Sequence, residues 1–135
     1  MRYLIDTHVL ICALTDSRKL TKDVRALLTD RSNDILVSMA SILEIAIKMS
    51  VGKLELRGGI SVRDIENAAS DIGFEMIDIG SGDCSALVSL PFARGHKDPF
   101  DRLLVSQAIE RGITLVSIDR RLVCYATHGL RLYGR

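Results

Sequence analysis

An α/β fold is the architecture the sequence predicts: a three-layer α/β/α sandwich around a mainly parallel central sheet of about five strands. Two observations lead there. Short β-branched runs alternate with longer helical windows along the whole chain, and glycine-rich breaks separate them. Strands joined through helices imply right-handed crossovers, hence parallel strands with helices covering both faces.

The elements follow in order. "YLI" (3–5) is the first strand and runs into Asp6, after which a helical window spans 7–15. A second window at 20–31 precedes the strand "ILV" (35–37), and an apolar window at 39–51 follows it. "GG" at 58–59 breaks the chain before a helix at 61–72 and the strand "EMIDI" (75–79); "GSG" at 80–82 then opens a helix at 82–90. A helix at 100–111 starts behind Pro99 and stops at Gly112, where glycine commonly ends one. The strand "TLVSI" (114–118), a short helix at 120–126 and the strand "LRLY" (130–133) complete the series.

Composition narrows the class. At 135 residues, 47% of them hydrophobic and only two proline, the chain reads as a single domain, 1–135, large enough to bury a core rather than remain disordered. No apolar run approaches the ~20 residues that span a bilayer, and the N-terminus lacks a basic region followed by an apolar run and cleavage site. Cys12, Cys84 and Cys124 are odd in number and widely spaced, which fits reduced core cysteines in a cytoplasmic protein better than disulfides or a zinc site. A net charge of +1 names no partner, yet a local basic patch does not need a basic whole.

In a parallel sheet, ligands bind beyond the carboxyl ends of the strands, so acids at that edge are candidates for chemistry. Asp6 ends "RYLID" and Asp119 ends "TLVSID". Each taken alone is an ordinary helix cap. If the two strands are neighbours, both acids share one edge, which capping does not require. In "HKDPFDR" (96–102), Pro99 pushes Asp98 into the extended conformation of an N-cap, and Asp101 falls in the first turn, where helix N–H groups favour an acid. Helical spacing sets Asp101 on the face of Leu104, Val105 and Ala108, so it should point toward the sheet, at a cost unless something positive meets it. Glu44 is undecided by pattern, because Ser41, Glu44 and Lys48 make a polar stripe that suits a surface ion pair of ~0.2–0.5 kcal/mol. His8 is expected to bond locally and His96 to be an exposed loop residue.

"YLIDTHVLI" at the start of the chain, "SMASILEIAIKMSVGKLEL" (38–56), "HKDPFDRLLVSQA" (96–108) and "LVSID" (115–119) resemble the PIN-domain family, most closely its VapC-type ribonuclease toxins. The similarity runs nearly end to end, and "DTH" combined with "DPFDRLL" is specific. It implies a metal-dependent endoribonuclease whose acidic quartet falls on Asp6, Glu44, Asp101 and Asp119, with Asp98 as a nearby fifth carboxylate. Converging carboxylates repel one another until a divalent cation is present. The resemblance implies Mg²⁺, with Mn²⁺ possible, held by Asp6 and Asp101, while Glu44 and Asp119 hold waters or a second ion. Cleavage of the phosphodiester by metal-activated water would leave 5′-phosphate and 3′-hydroxyl ends. Expected substrate-binding residues are Lys97, Arg102 and Ser117, the last standing where the family often has threonine. Arg102 is open to either a phosphate contact or a structural ion pair, and Arg120 and Arg121 flank the same acids. Implied partners are an RNA substrate and a small cognate antitoxin, in a homodimer and a higher toxin–antitoxin assembly. The competing reading is a non-catalytic PIN-like module that binds RNA or protein. A receiver-like domain is a poor fit because Asp6 stands alone after the first strand, and an aspartyl-phosphate phosphatase because "DTH" lacks the second acid of a D-x-D.

Overall fold

The computed structural model describes residues 1–92 and 96–134. Five strands, β1 (Arg2–Ile5), β2 (Asp34–Ser38), β3 (Glu75–Ile77), β4 (Thr114–Val116) and β5 (Leu132–Tyr133), form one sheet in the order β3-β2-β1-β4-β5. Every pairing is parallel. The helices are α1 (Thr7–Thr15), α2 (Lys22–Thr29), α3 (Met39–Ser50), α4 (Val62–Asp71), α5 (Ser81–Ser89) and α6 (Pro99–Arg111). A 3-10 turn, Ser17–Lys19, links α1 to α2. The segment after β4, Arg120–His128, is 3-10 rather than α-helical and runs longer than the 120–126 window. The last three strands are shorter than their apolar runs: 78–79, 118 and 130 lie in the loops, while Ser117 and Arg131 keep one backbone bond each to the neighbouring strand, Ser117 N–H to the Tyr133 carbonyl and Leu115 N–H to the Arg131 carbonyl.

Alternation along the strands builds the three layers. In β1, Ile5 faces one core with Val9 and Leu10 of α1, Val24 of α2, Ile45 of α3 and Ile65 of α4. Its neighbour Leu4 faces the other, with Leu104, Val105 and Ala108 of α6 and with Leu122 and Tyr125. β2 repeats the split, with Ile35 and Val37 on the first face and Leu36 on the second. Each aliphatic buried fully in this way contributes roughly 1.5–3 kcal/mol. This two-sided burial explains why the strands read as unbroken apolar runs.

Topology then decides where the site lies. Parallel strands end on one edge, α1 and α3 start there directly after β1 and β2, and α6 runs back antiparallel to β4 so that its N-terminus returns to the same edge. β1 and β4 are neighbours, with Ile5 opposite Val116 and the Asp6 N–H bonded to the Val116 carbonyl at 3.1 Å. The expected coincidence of Asp6 and the end of β4 is therefore met. Of the cysteines, only Cys12 is in the core; Cys84 and Cys124 are exposed, which corrects their reading as core residues.

Candidate functional site

A cleft of about 340 Å³ opens at the carboxyl edge, and Asp6, Glu44, Asp98, Asp101 and Asp119 all line it. Asp6 is extended at the N-cap of α1 and accepts from the Val9 N–H at 2.8 Å. It is buried, and desolvation pushes its pKa up, opposed by hydrogen bonds from Ser117 and Val9. Asp119 caps the following 3-10 segment and pairs with Arg121 at 2.8 Å, so the guanidinium holds its pKa down.

Ser117 is fully buried beneath these two acids, and its Oγ accepts from the Asp119 N–H at 3.1 Å. One hydroxyl thus ties both loops together. Its place is behind the carboxylates and out of reach of a substrate, unlike the expected binding role.

Glu44 settles differently from its pattern. The Lys48 ammonium does bond its Oε2, at 2.6 Å, as a helix i,i+4 pair should. Yet Glu44 is only 5% exposed, and its Oε1 is buried with no hydrogen-bond partner among the described residues. Ser41 on the same stripe is buried too and accepts from the Thr7 hydroxyl at 2.9 Å. The stripe that reads as surface faces the cleft because α3 starts at the carboxyl edge and lies against α1. Lys48 lines the cleft and was missed as a site residue; its spacing from Glu44 was the available signal.

The two acids of "DPFD" separate as their positions suggest. Asp98 is the N-cap of α6, and its Oδ1 accepts from the N–H groups of Phe100 and Asp101, both at 2.9 Å. Asp101 turns into the cleft, where burial first, then the charge of Asp98, then those of Glu44 and Asp6, raise its pKa to about 6 against a hydrogen bond from His96. Asn caps about as well as Asp, whereas Ala at an N-cap typically costs ~1 kcal/mol. Asp98→Asn should therefore melt within a degree or two of the wild type, and Asp98→Ala about 3 °C lower on the entropy scale of a domain this size. Equal melting of all three would remove Asp98 from the cap.

His96 is not an exposed loop residue. It is 1% exposed, with Nδ1 2.9 Å from the Tyr125 hydroxyl and Nε2 3.3 Å from Asp101 Oδ2. A contact spanning 29 residues leaves no local trace, so neither His96 nor Tyr125 could be found by pattern. Arg102 also departs from expectation. It is buried away from the cleft, donating to the Leu90 and Pro91 carbonyls at 2.8 and 3.0 Å and lying 4.0 Å from the centre of the Phe92 ring. Among the described residues it forms no ion pair, and it is absent from the cleft lining. Lys97 is exposed and outside the cleft lining; Arg121 is within it, and Arg120 is exposed outside it. His8 lies at the rim and bonds locally to Cys12 at 3.6 Å, as expected.

The donor set suits a hard divalent cation. It is carboxylate-rich, one buried carboxylate oxygen lacks a partner, and burial raises the pKa of two of its acids, a penalty that a cation would relieve. Among the described residues, His96, Asp101 and Asp119 bring ligand atoms within 4.8 Å of one another, a trio that overlaps the expected Asp6–Asp101 pair only at Asp101. A larger cleft of about 780 Å³ lies at the opposite edge, where Asp34 and Glu75 begin β2 and β3, away from these acids.

A family model described as PIN domain matches residues 3–126. No curated protein matches the chain. Several solved structures do. VapBC2 from Rickettsia felis, bound to a DNA fragment from its promoter, is 19% identical at a TM-score of 0.66, covering 98% of each chain. VapBC-1 from nontypeable Haemophilus influenzae is 16% identical at 0.68, covering 98% of this chain and 97% of that one. VapBC-5 from Mycobacterium tuberculosis, a member of the VapBC family of toxin-antitoxin systems, is 12% identical at 0.59, covering 99% and 98%. At these identities the likeness is one of fold.

Proposed function

Because this chain belongs to the PIN domain family, we propose that it is a divalent-metal-dependent endoribonuclease and the toxin of a toxin–antitoxin pair. The observation that carries the reading is the convergence of five carboxylates from four separate parts of the chain on one cleft. Structural stability alone gives no reason to gather them, since the charges of Asp98, Glu44 and Asp6 raise the pKa of Asp101 and that of Asp119 adds to the rise at Asp6.

Asp6 and Asp101 would hold Mg²⁺ or Mn²⁺, with Asp119 and Glu44 completing the site through water. When bound, the ion supplies neutralisation of phosphodiester charge and activation of water for in-line attack. The chain's own groups do the rest. The Lys48 ammonium and the Arg121 guanidinium, both at the cleft, would meet phosphate oxygens, taking the part expected of Arg102. Lys97, exposed just before α6, would extend that contact along the strand. Ser117 would keep Asp6 and Asp119 in register from behind, and Asp98 would add negative charge at the rim while capping α6.

A small antitoxin would block the cleft and cover apolar helix surface. Leu43, Ile47 and Val51, four residues apart along and just beyond α3, are 47%, 43% and 61% exposed and offer such a surface beside Glu44 and Lys48. Homodimerisation and a higher assembly belong to the same reading.

The chain purified without partner should cleave RNA with Mg²⁺ or Mn²⁺, leave 5′-phosphate and 3′-hydroxyl ends, and stop with EDTA. Expressed alone it should arrest growth, and Asp6→Asn should not. Folded wild-type protein that binds RNA but leaves it intact at every metal concentration selects the non-catalytic module instead.

A further inference from the structure

We propose that His96 is a positioning residue for Asp101, locked as the Nε2-protonated tautomer by a buried chain that runs from Arg102 through the Tyr125 hydroxyl. The inference rests on the reading of Asp101 as a metal-binding carboxylate.

The tautomer follows from counting donors. Tyr125 is fully buried, and among the described residues its hydroxyl meets two groups: Arg102 Nη1 at 3.2 Å and His96 Nδ1 at 2.9 Å. A guanidinium only donates, so the hydroxyl oxygen accepts from Arg102 and its proton goes to His96 Nδ1. Nδ1 is then the acceptor, and in the neutral ring Nε2 carries the hydrogen that it directs at Asp101 Oδ2, 3.3 Å away. The reverse tautomer would leave a buried hydroxyl proton without an acceptor among the described residues and set a nitrogen lone pair against a carboxylate, each a cost of a lost buried hydrogen bond.

The far end of the chain is held firmly. Arg102 is fixed by the Leu90 and Pro91 carbonyls and by Phe92, so the hydroxyl cannot turn away from the histidine without giving up its own donor. The rings of His96 and Tyr125 meet edge to face, with centroids 5.5 Å apart at 76°.

The consequence separates two roles for the same nitrogen. A ring nitrogen of His96 lies within 4.8 Å of oxygens of Asp101 and Asp119, and Nε2 is the one that faces Asp101, which resembles a three-ligand site. A protonated Nε2 has no lone pair to give. His96 therefore acts as the outer partner that orients one oxygen of Asp101, leaving the other for the cation, in the way hydrogen-bonded partners commonly orient metal-binding carboxylates.

Imidazole ¹⁵N spectra of the labelled, metal-free wild type decide the tautomer without any variant. The expected result is a protonated Nε2 and an unprotonated Nδ1, unchanged when Mg²⁺ is added. Tyr125→Phe keeps the ring and removes the hydroxyl; calorimetric titration should give Mg²⁺ affinity about 10-fold weaker, the lower range for loss of an outer partner, with cleavage at saturating Mg²⁺ reduced much less. His96→Gln, whose amide N–H can replace Nε2–H, should bind Mg²⁺ closer to wild type than His96→Ala. A protonated Nδ1, an Nε2 resonance that moves as a ligand's would on adding Mg²⁺, or an unchanged affinity in Tyr125→Phe overturns the proposal. Wild-type protein with the expected tautomer that neither binds Mg²⁺ nor cleaves RNA overturns the nuclease reading while the His96–Asp101 bond stands, so the two failures are distinct.

Discussion

Asp101→Asn should abolish metal-dependent RNA cleavage and, at neutral pH without metal, raise the melting temperature. The substitution keeps the shape and an oxygen that can still accept from His96. It removes the charge expected to hold the cation. Metal stabilisation of transition-state charge is worth several kcal/mol, and each 1.36 kcal/mol is tenfold, so a loss on the order of 10³-fold is expected.

The stability arm follows from the carboxyl's raised pKa. In the metal-free fold it titrates at about 6, against an ordinary 3.8. Below pH ~4 both folded and unfolded chains hold the proton, and the group costs nothing. Between ~4 and ~6 only the folded chain holds it, so stability falls as pH rises; above ~6 the whole penalty is present. At about 1.36 kcal/mol per pH unit, ~3 kcal/mol is its upper bound. Asp101→Asn lacks this slope, so melts of the two proteins should coincide near pH 4 and diverge by pH 7.5. Mg²⁺ should raise the wild-type melt and leave the variant's unmoved. Full cleavage by the variant would sink the assignment of Asp101.

Arg102→Ala should destabilise the fold severely. The residue is 5% exposed, and its guanidinium donates to the Leu90 and Pro91 carbonyls and to the Tyr125 hydroxyl. Deleting it leaves these acceptors unpaired at about 1–3 kcal/mol apiece and removes packing against Phe92. A total of ~3–5 kcal/mol corresponds to ~10 °C or more in melting temperature for a domain this size. Lys cannot reproduce the fork, so Arg102→Lys should recover only part of the loss. The measurement is a thermal melt beside KM for RNA. A normal melt with raised KM would return Arg102 to phosphate binding.

Local chemistry was legible from the chain. Asp98 before Pro99 is a cap, and Gly112 ends α6 at φ 63°, a left-handed conformation that glycine adopts without strain. β-branched runs ending in Asp6 and near Asp119, separated by helices, specify parallel strands and an acidic edge, because each signal lies within one turn or one strand. The resemblance supplied Glu44, whose own stripe pointed to water.

The remainder depended on which segments meet. The sheet order places β1 between β2 and β4, and that arrangement turns the Ser41–Glu44–Lys48 stripe of α3 into a cleft wall. His96 and Arg102 are polar residues beside a loop, and composition places such residues in water. They are buried because Tyr125, far along the chain, supplies a hydroxyl between them, and because the Leu90 and Pro91 carbonyls accept from the Arg102 guanidinium. The sequence by itself determined the layered α/β frame and where along the chain four of the acids fall, since propensity, caps and period act over a few residues. Only the tertiary structure decided which polar groups are desolvated, because that is a property of the neighbours a group meets across the fold.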